Sequence, residues 1–162
     1  MPMHLTAAMA GVLAALLSGC GGAPPPLPPT VVNAALAAAP DVNASKGGVG
    51  APIAVRVYQL GTATAFKGST FFPLFEKDAA TLKDDLVKRE DLLLGPGQSK
   101  ALVLMPDERV HAIGVFAAYR DYEHAEWHTT VDVPAHQTSK LAITVQRAGV
   151  EATITPDKPP AK

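Results

Sequence analysis

A chain of 162 residues with 14 basic and 15 acidic side chains has room for one domain and carries a formal net charge of −1. That balance excludes nucleic acid as the expected partner, because phosphate binding needs a basic surface. The single cysteine would be an unpaired, reactive thiol in an exported protein, so its presence asks for an explanation of its own.

The N-terminal run Leu5–Leu17 has the length of an export-signal core and is too short to span a bilayer as a helix. It ends in Leu17-Ser18-Gly19-Cys20, followed by Gly21-Gly22. This tetrapeptide resembles the bacterial lipobox, which implies cleavage before Cys20 and lipidation of its thiol and new amine. Residues 1–19 are then a signal peptide, although Met1–Thr6 lacks the Lys or Arg that normally opens one. A start codon assigned too far downstream would produce that departure. Gly21, in place of the Asp that often retains lipoproteins in the inner membrane, favours the outer membrane. Stable anchoring takes two or more acyl chains, so a fully acylated Cys20 is a permanent tether. Ala23–Pro29, with five prolines, is a spacer of about 20 Å at about 3.1 Å per residue.

Thr30–Ala39 is consistent with a strand or a short helix. Pro40–Pro52, rich in Asn, Ser, Gly and Pro, reads as a long exposed loop. Ile53–Leu60 alternates Ile53, Val55 and Val57 against Arg56 and Tyr58 and predicts a strand. Gly61–Val87 breaks the pattern. Phe66, Phe71, Phe72, Leu74 and Phe75 form an apolar cluster with its rings turned inward, and Pro73 opposes a long helix through it. Asp78–Val87 places Leu82 and Leu86 four apart, the spacing of a short amphipathic helix. The helical insertion, about residues 64–87, is expected to pack on one end of the domain.

Leu92–Leu94 reads as a short strand, with Ser99–Met105 as its hairpin partner across Gly95-Pro96-Gly97. Within Arg109–Trp127, His111, Ile113, Val115 and Ala117 face one way, and Val110, Ala112, Phe116 and Ala118 the other. Both faces are apolar, as in a strand covered on both sides. Gly114 in its middle marks the close approach of another segment or a large ring; Trp127 is expected to fill core near it, and Arg120 to brace the following turn. Trp127–Val133, Leu141–Val145 and Val150–Ile154 alternate as further strands. The pattern predicts an all-β, two-sheet antiparallel sandwich over residues 30–156 with a small helical insertion, and a disordered tail over 157–162.

Candidate chemistry is sparse. His124 and His128 are four apart in Asp121–His128, but Ala125 stands where a zincin places glutamate, and the run falls in a turn. No G-x-S-x-G elbow, P-loop or dinucleotide fingerprint occurs, and adjacent Asp84 and Asp85 diverge on a helix. The reading is non-enzymatic, with no catalytic residue, metal or cofactor. The alternative is a periplasmic lipoprotein that binds a small ligand or metal at one end of the sandwich, which requires His124, His128 and His136 to converge.

Taken in order, Cys20, Asp41-Val42-Asn43, Pro52–Leu60, Phe66 with Phe71-Phe72-x-Leu74, Arg89-Glu90, Pro96-Gly97 and Ile113-Gly114-Val115…Ala117–Asp121…Trp127 resemble the TssJ (SciN-type) outer-membrane lipoproteins of bacterial type VI secretion. Tyr119, where Phe is commoner, and His128, where Arg commonly follows the Trp, depart mildly from that pattern. The resemblance implies a transthyretin-like sandwich without enzymatic activity. It also implies a place in a trans-envelope complex, docked to the periplasmic C-terminal region of a TssM-like inner-membrane protein. The implied contact surface is the loop joining the first two strands: Asp41, Val42, Asn43, Ala44, Ser45, Lys46, Gly47, Gly48, Val49 and Gly50. Its glycines suggest little rigid shape before binding, so that docking would have to order it.

Overall fold

A computed structural model describes residues 24–157. Cys20, the signal segment and the tail from residue 158 lie outside the described residues. The strands are β1 (Val31–Ala38), β2 (Ile53–Leu60), β3 (Leu86–Leu94), β4 (Ser99–Leu104), β5 (Ala112–Ala117), β6 (His128–Asp132), β7 (Thr138–Val145) and β8 (Val150–Pro156). They form two four-stranded sheets, β4-β1-β7-β8 and β3-β2-β5-β6. Every neighbouring pair is antiparallel except β1 and β7, which run parallel from Val31↔Thr138 to Ala38↔Val145. The sandwich is as expected, with one parallel pair inside it.

β1 settles as a strand because Val32, Ala34, Leu36 and Ala38 are buried while Asn33, Ala35 and Ala37 are exposed, a period of two. Its inner face meets Val55, Val57, Ile113, Val115, Leu141 and Ile143 between the sheets. A second apolar cluster covers the outer face of the β2–β5 sheet: Tyr58, Leu60, Phe66, Phe71, Leu74, Leu82, Ala112 and Phe116. β5 therefore contributes to both clusters, and all six of its residues are buried. Burying each large side chain contributes about 1.5–3 kcal/mol.

The second cluster is made by α1 (Thr64–Gly68) and α2 (Phe71–Leu82). They cover the outer face of a sheet and not an end of the sandwich. Pro73 lies in the first turn of α2, where no intrahelical N–H bond is required, so the helix runs through it and kinks at Lys77. The amphipathic segment ends at Leu82; a short 3-10 turn (Lys83–Asp85) follows, and Leu86 already opens β3. Leu82 and Leu86 are therefore not on one helical face. Phe66 and Phe71 point inward, while Phe72 and Phe75 remain partly exposed.

The Gly95–Gln98 turn does not close a hairpin. β3 pairs with β2 and β4 with β1, so the chain crosses from one sheet to the other there. The ring that approaches Gly114 belongs to Phe66: a Cβ on Gly114 would lie 3.0 Å from Phe66 Cε1 and Cζ. Trp127 instead sits at the margin of both clusters, stacked on His128 with ring centroids 3.9 Å apart.

Candidate partner-binding pole

β1 delivers the chain to one pole of the sandwich at Ala38, and β2 takes it back at Ile53. The intervening loop is tied at its base. Val42 is fully buried, and its C=O accepts a 2.9 Å bond from the Ala51 N–H. Asn43 is buried in the left-handed region at φ 50°, a conformation asparagine tolerates better than most residues. Its Nδ2 donates to the Pro52 carbonyl at 3.1 Å, and its Oδ1 accepts the Arg120 N–H at 2.9 Å. Asn43 thereby joins this loop to the β5–β6 turn. A Cβ at Gly50 would fall 2.3 Å from the Pro40 carbonyl oxygen, so only glycine fits.

Beyond that base the loop presents its tip. Ala44 and Gly50 are half-buried, and Ser45, Lys46, Gly47, Gly48 and Val49 are exposed, Val49 by 72%. The Ser45 N–H donates to Val49 O at 3.2 Å and the Gly48 N–H to Ser45 O at 2.9 Å. The loop has more shape of its own than its glycines suggested. Asp41 is 3.8 Å from Arg147, a loose and half-exposed pair that contributes little.

The β7–β8 turn completes the pole. The Tyr119 hydroxyl donates to the carbonyls of Gln146 at 2.9 Å and Gly149 at 2.5 Å. Burial pushes its pKa up, against the lowering effect of the bond to Gly149, so it remains a donor. Asn43, Ser45, Lys46, Asp121 and Arg147 then line a shallow depression with Tyr119. The expected brace by the Arg120 guanidinium is not made: among the described residues its exposed side chain makes no hydrogen bond, and only its backbone N–H is held, by Asn43 Oδ1. Three loops of mixed charge, pinned by Asn43 and Tyr119, suit recognition by shape and hydrogen bonding. Neither pinning role was legible from spacing, although an Asn in a loop and a Tyr ending an apolar strand are the residue types such roles use.

The three histidines do not converge. His124 lies on the exposed β5–β6 turn, its Nδ1 2.7 Å from Asp121, which raises its pKa. His128 lies on the outer face of the second sheet against Phe66, where burial lowers its pKa. His136 belongs to the opposite pole, where its N–H donates to Thr30 Oγ1 at 2.9 Å. Among the described residues no three His, Cys, Asp or Glu side chains could hold one metal ion. At that opposite pole the linker residues Pro26–Thr30 lie against the β4–β5 and β6–β7 turns. No helix among the described residues is long and apolar enough to cross a membrane.

With this geometry in place, residues 30–148 match the T6SS-SciN family, the type VI secretion lipoproteins VasD, EvfM and TssJ. The chain belongs to the type VI secretion lipoprotein family. It is similar to the lipoprotein TssJ1 of Pseudomonas aeruginosa, with 37% identity over 81% of this chain and 100% of that one, at a TM-score of 0.77. Lip of Serratia marcescens, a membrane-bound component of the type VI secretion system, shares the fold (24% identity, 77% and 98% coverage, TM-score 0.72). So does a chain in a structure of the TssM C-terminal domain from EAEC (23% identity, 78% and 98% coverage, TM-score 0.61). No curated protein matches. As a TssJ-family member the chain is a structural lipoprotein of the secretion machinery.

Proposed function

We propose that the mature protein hangs from the periplasmic face of the outer membrane through lipidated Cys20. Its β1–β2 loop then docks the periplasmic C-terminal region of a TssM-like inner-membrane protein. The observation that carries this reading is the polarity of β1. The linker enters at Val31, at the pole where Thr30 bonds His136, and the loop leaves at Ala38 seven residues later. At about 3.3 Å per residue, tether and loop are separated by about 23 Å of strand. One end is thus available to the membrane while the other faces the periplasm. Asp41, Val42 and Asn43 act as the loop's foundation, and Ala44–Gly50 as its contact surface. Because the tip is already hydrogen-bonded, docking it costs less ordering entropy than a free glycine loop would.

The test is capture of the cognate TssM-like periplasmic region by the detergent-solubilised lipoprotein, with and without residues 45–49. Shortening the loop should abolish capture and leave the melting temperature within a few degrees. Undiminished capture by the shortened protein moves the interface elsewhere. Cys20→Ser should release a folded protein from the membrane fraction, and continued sedimentation with membranes counts against the tether.

A further inference from the structure

The sandwich has four sheet edges, and three of them are protected. β3 carries Lys88-Arg89-Glu90-Asp91 along its middle. The β6 and β8 edges are drawn together at one end, where the Glu126 N–H donates to Ala148 O at 3.0 Å and the Val150 N–H to Glu126 O at 2.9 Å. β4 carries a single charge, Lys100, near its start, and the rest of the strand is unprotected. It is the end strand of its sheet, its pairing with β1 runs without a bulge, and Ala101–Met105 holds no charge and no proline. Val103 is 63% and Met105 73% exposed. Natural edges are usually blunted by charge, proline or bulges, because an unpaired edge is a template for another strand.

The hydrogen-bond phase shows which groups are free. Ala38 donates to Gln98 O at 2.9 Å, on the β4 side, while Ala39 donates to Val145 O at 2.9 Å, on the β7 side. Even-numbered residues of β1 therefore bond β4, through the pairs Leu36↔Lys100, Ala34↔Leu102 and Val32↔Leu104. The N–H and C=O groups of Ser99, Ala101 and Val103 point to the open side. Only an extended polypeptide satisfies such a row.

Beside that edge the outer face of the sheet is low. Ala101, Ala35, Ala142 and Thr153 stand in one register row, flanked by Val103, Asn33 and Lys140 in the next. These residues line a trough of about 830 Å³. A side chain opposite Ala101 on an added strand would lie over Ala101 toward Ala35, and these small residues leave room for a bulky apolar group.

We propose that β4 accepts an extended segment of the periplasmic partner as a fifth strand, with a large apolar side chain laid over Ala101 toward Ala35. This rests on the docking reading above and adds a second contact to it. A second copy of this chain is the poorer occupant. Antiparallel pairing of two β4 edges turns one molecule end over end, so the two tether poles face opposite ways. The β4 edge also opens at the docking pole: the Ala38 N–H donates to Gln98 O at 2.9 Å and the Gly97 N–H to Ala39 O at 3.2 Å, so a strand added there is continuous with a partner held by the β1–β2 loop.

The experiment uses the full-length lipoprotein in detergent and the purified periplasmic region of the cognate TssM-like protein as probe. Val103→Pro removes an N–H that bonds nothing within the fold, and Ala35→Glu places a charge in the trough without touching the core. Each should weaken binding about tenfold or more with melting unchanged, and the Ala101 and Val103 amides should exchange more slowly in the complex. Unchanged affinity in both variants, with binding still lost on shortening the loop, overturns the strand addition and leaves the docking reading intact. Absence of binding by the unmodified protein removes both. A wild-type dimer abolished by Val103→Pro would reassign the edge to self-association.

Discussion

Asp78→Ala tests what fastens the helical insertion to the sheet. Asp78 is buried, and its Oδ2 accepts the Tyr58 hydroxyl at 2.9 Å and Arg89 Nη1 at 2.6 Å; its Oδ1 accepts the Ala79 N–H at 2.8 Å. Arg56 stands 3.6 Å away and donates to the Leu74 and Phe75 carbonyls, so a basic pair on the sheet grips α2 at its kink. Removing the carboxylate strands the Tyr58 hydroxyl, on a side chain fully buried, at about 1–3 kcal/mol. The ion pair with Arg89 adds less, since that side chain is 38% exposed and screened. The total is about 3 kcal/mol, or about 10 °C in melting temperature for a domain of this size. Urea denaturation followed by circular dichroism measures it. Asp78→Asn, which keeps an acceptor for Tyr58, should lose about half as much. Burial alone would raise the Asp78 pKa, but the bonds from Arg89, Tyr58 and Ala79 outweigh it and lower the pKa below 3.8. Below that value the unfolded chain takes up a proton that the folded chain refuses, so this contribution is present above about pH 4 and lost as pH falls further. Asp78→Ala should therefore flatten the acid limb of the stability profile. A loss under about 1 kcal/mol with an unchanged acid limb would refute the reasoning.

Other substitutions probe the remaining joints. Gly114→Ala drives a methyl to 3.0 Å from the Phe66 ring and Leu60 Cδ1, and should cost about 1 kcal/mol after the backbone entropy that alanine saves. In the Phe66→Leu background the same change should cost less, measured as a double-mutant cycle. Asn43→Ala loses two hydrogen bonds and places alanine at φ 50°. It should lower stability by about 2–3 kcal/mol in chemical denaturation, with Asn43→Gly recovering only the backbone share. Tyr119→Phe removes the bonds to Gln146 and Gly149 and should cost about 1 kcal/mol by thermal melting, loosening the β7–β8 turn without unfolding the sandwich.

Much of the sandwich could be read from alternation. β2 and β5 stand where period two put them, and the two apolar faces of β5 required layers on both sides. What alternation cannot carry is pairing. Ser99–Leu104 follows Leu86–Leu94 across a tight turn, the arrangement of a hairpin, yet the partners are β1 and β2, at least 26 residues upstream. The polar face assigned to Arg56 and Tyr58 misled for a related reason. Once α2 lies over it, Tyr58 is buried and Arg56 becomes a clamp. Asp78 belonged to a segment read only for its leucines, and a buried acid has no signature until the bases that face it are in place. At the candidate pole, the exposed tip was legible from composition, whereas the buried Val42 and Asn43 beneath it depend on contacts with residues as distant as Arg120.

If the protein is anchored and docked as proposed, β1 is the strand between tether and loop, and that has a mechanical consequence. β1 is an interior strand, bonded to β4 on one side and to β7 on the other along its whole length. In that arrangement a pull between membrane and partner would enter at Val31 and leave through the loop after Ala38, and so would act along the strand. Both hydrogen-bonded rows then share the load together and do not open one bond at a time, as they would if the tether joined an edge and peeled it. The alanines of β1 fit this placement: an interior strand draws its cohesion from two neighbours and a buried face, so its outward positions can remain small. A tether grafted instead onto the β8 end would load an edge strand with a single full-length neighbour, β7, and pull against about half as many backbone bonds.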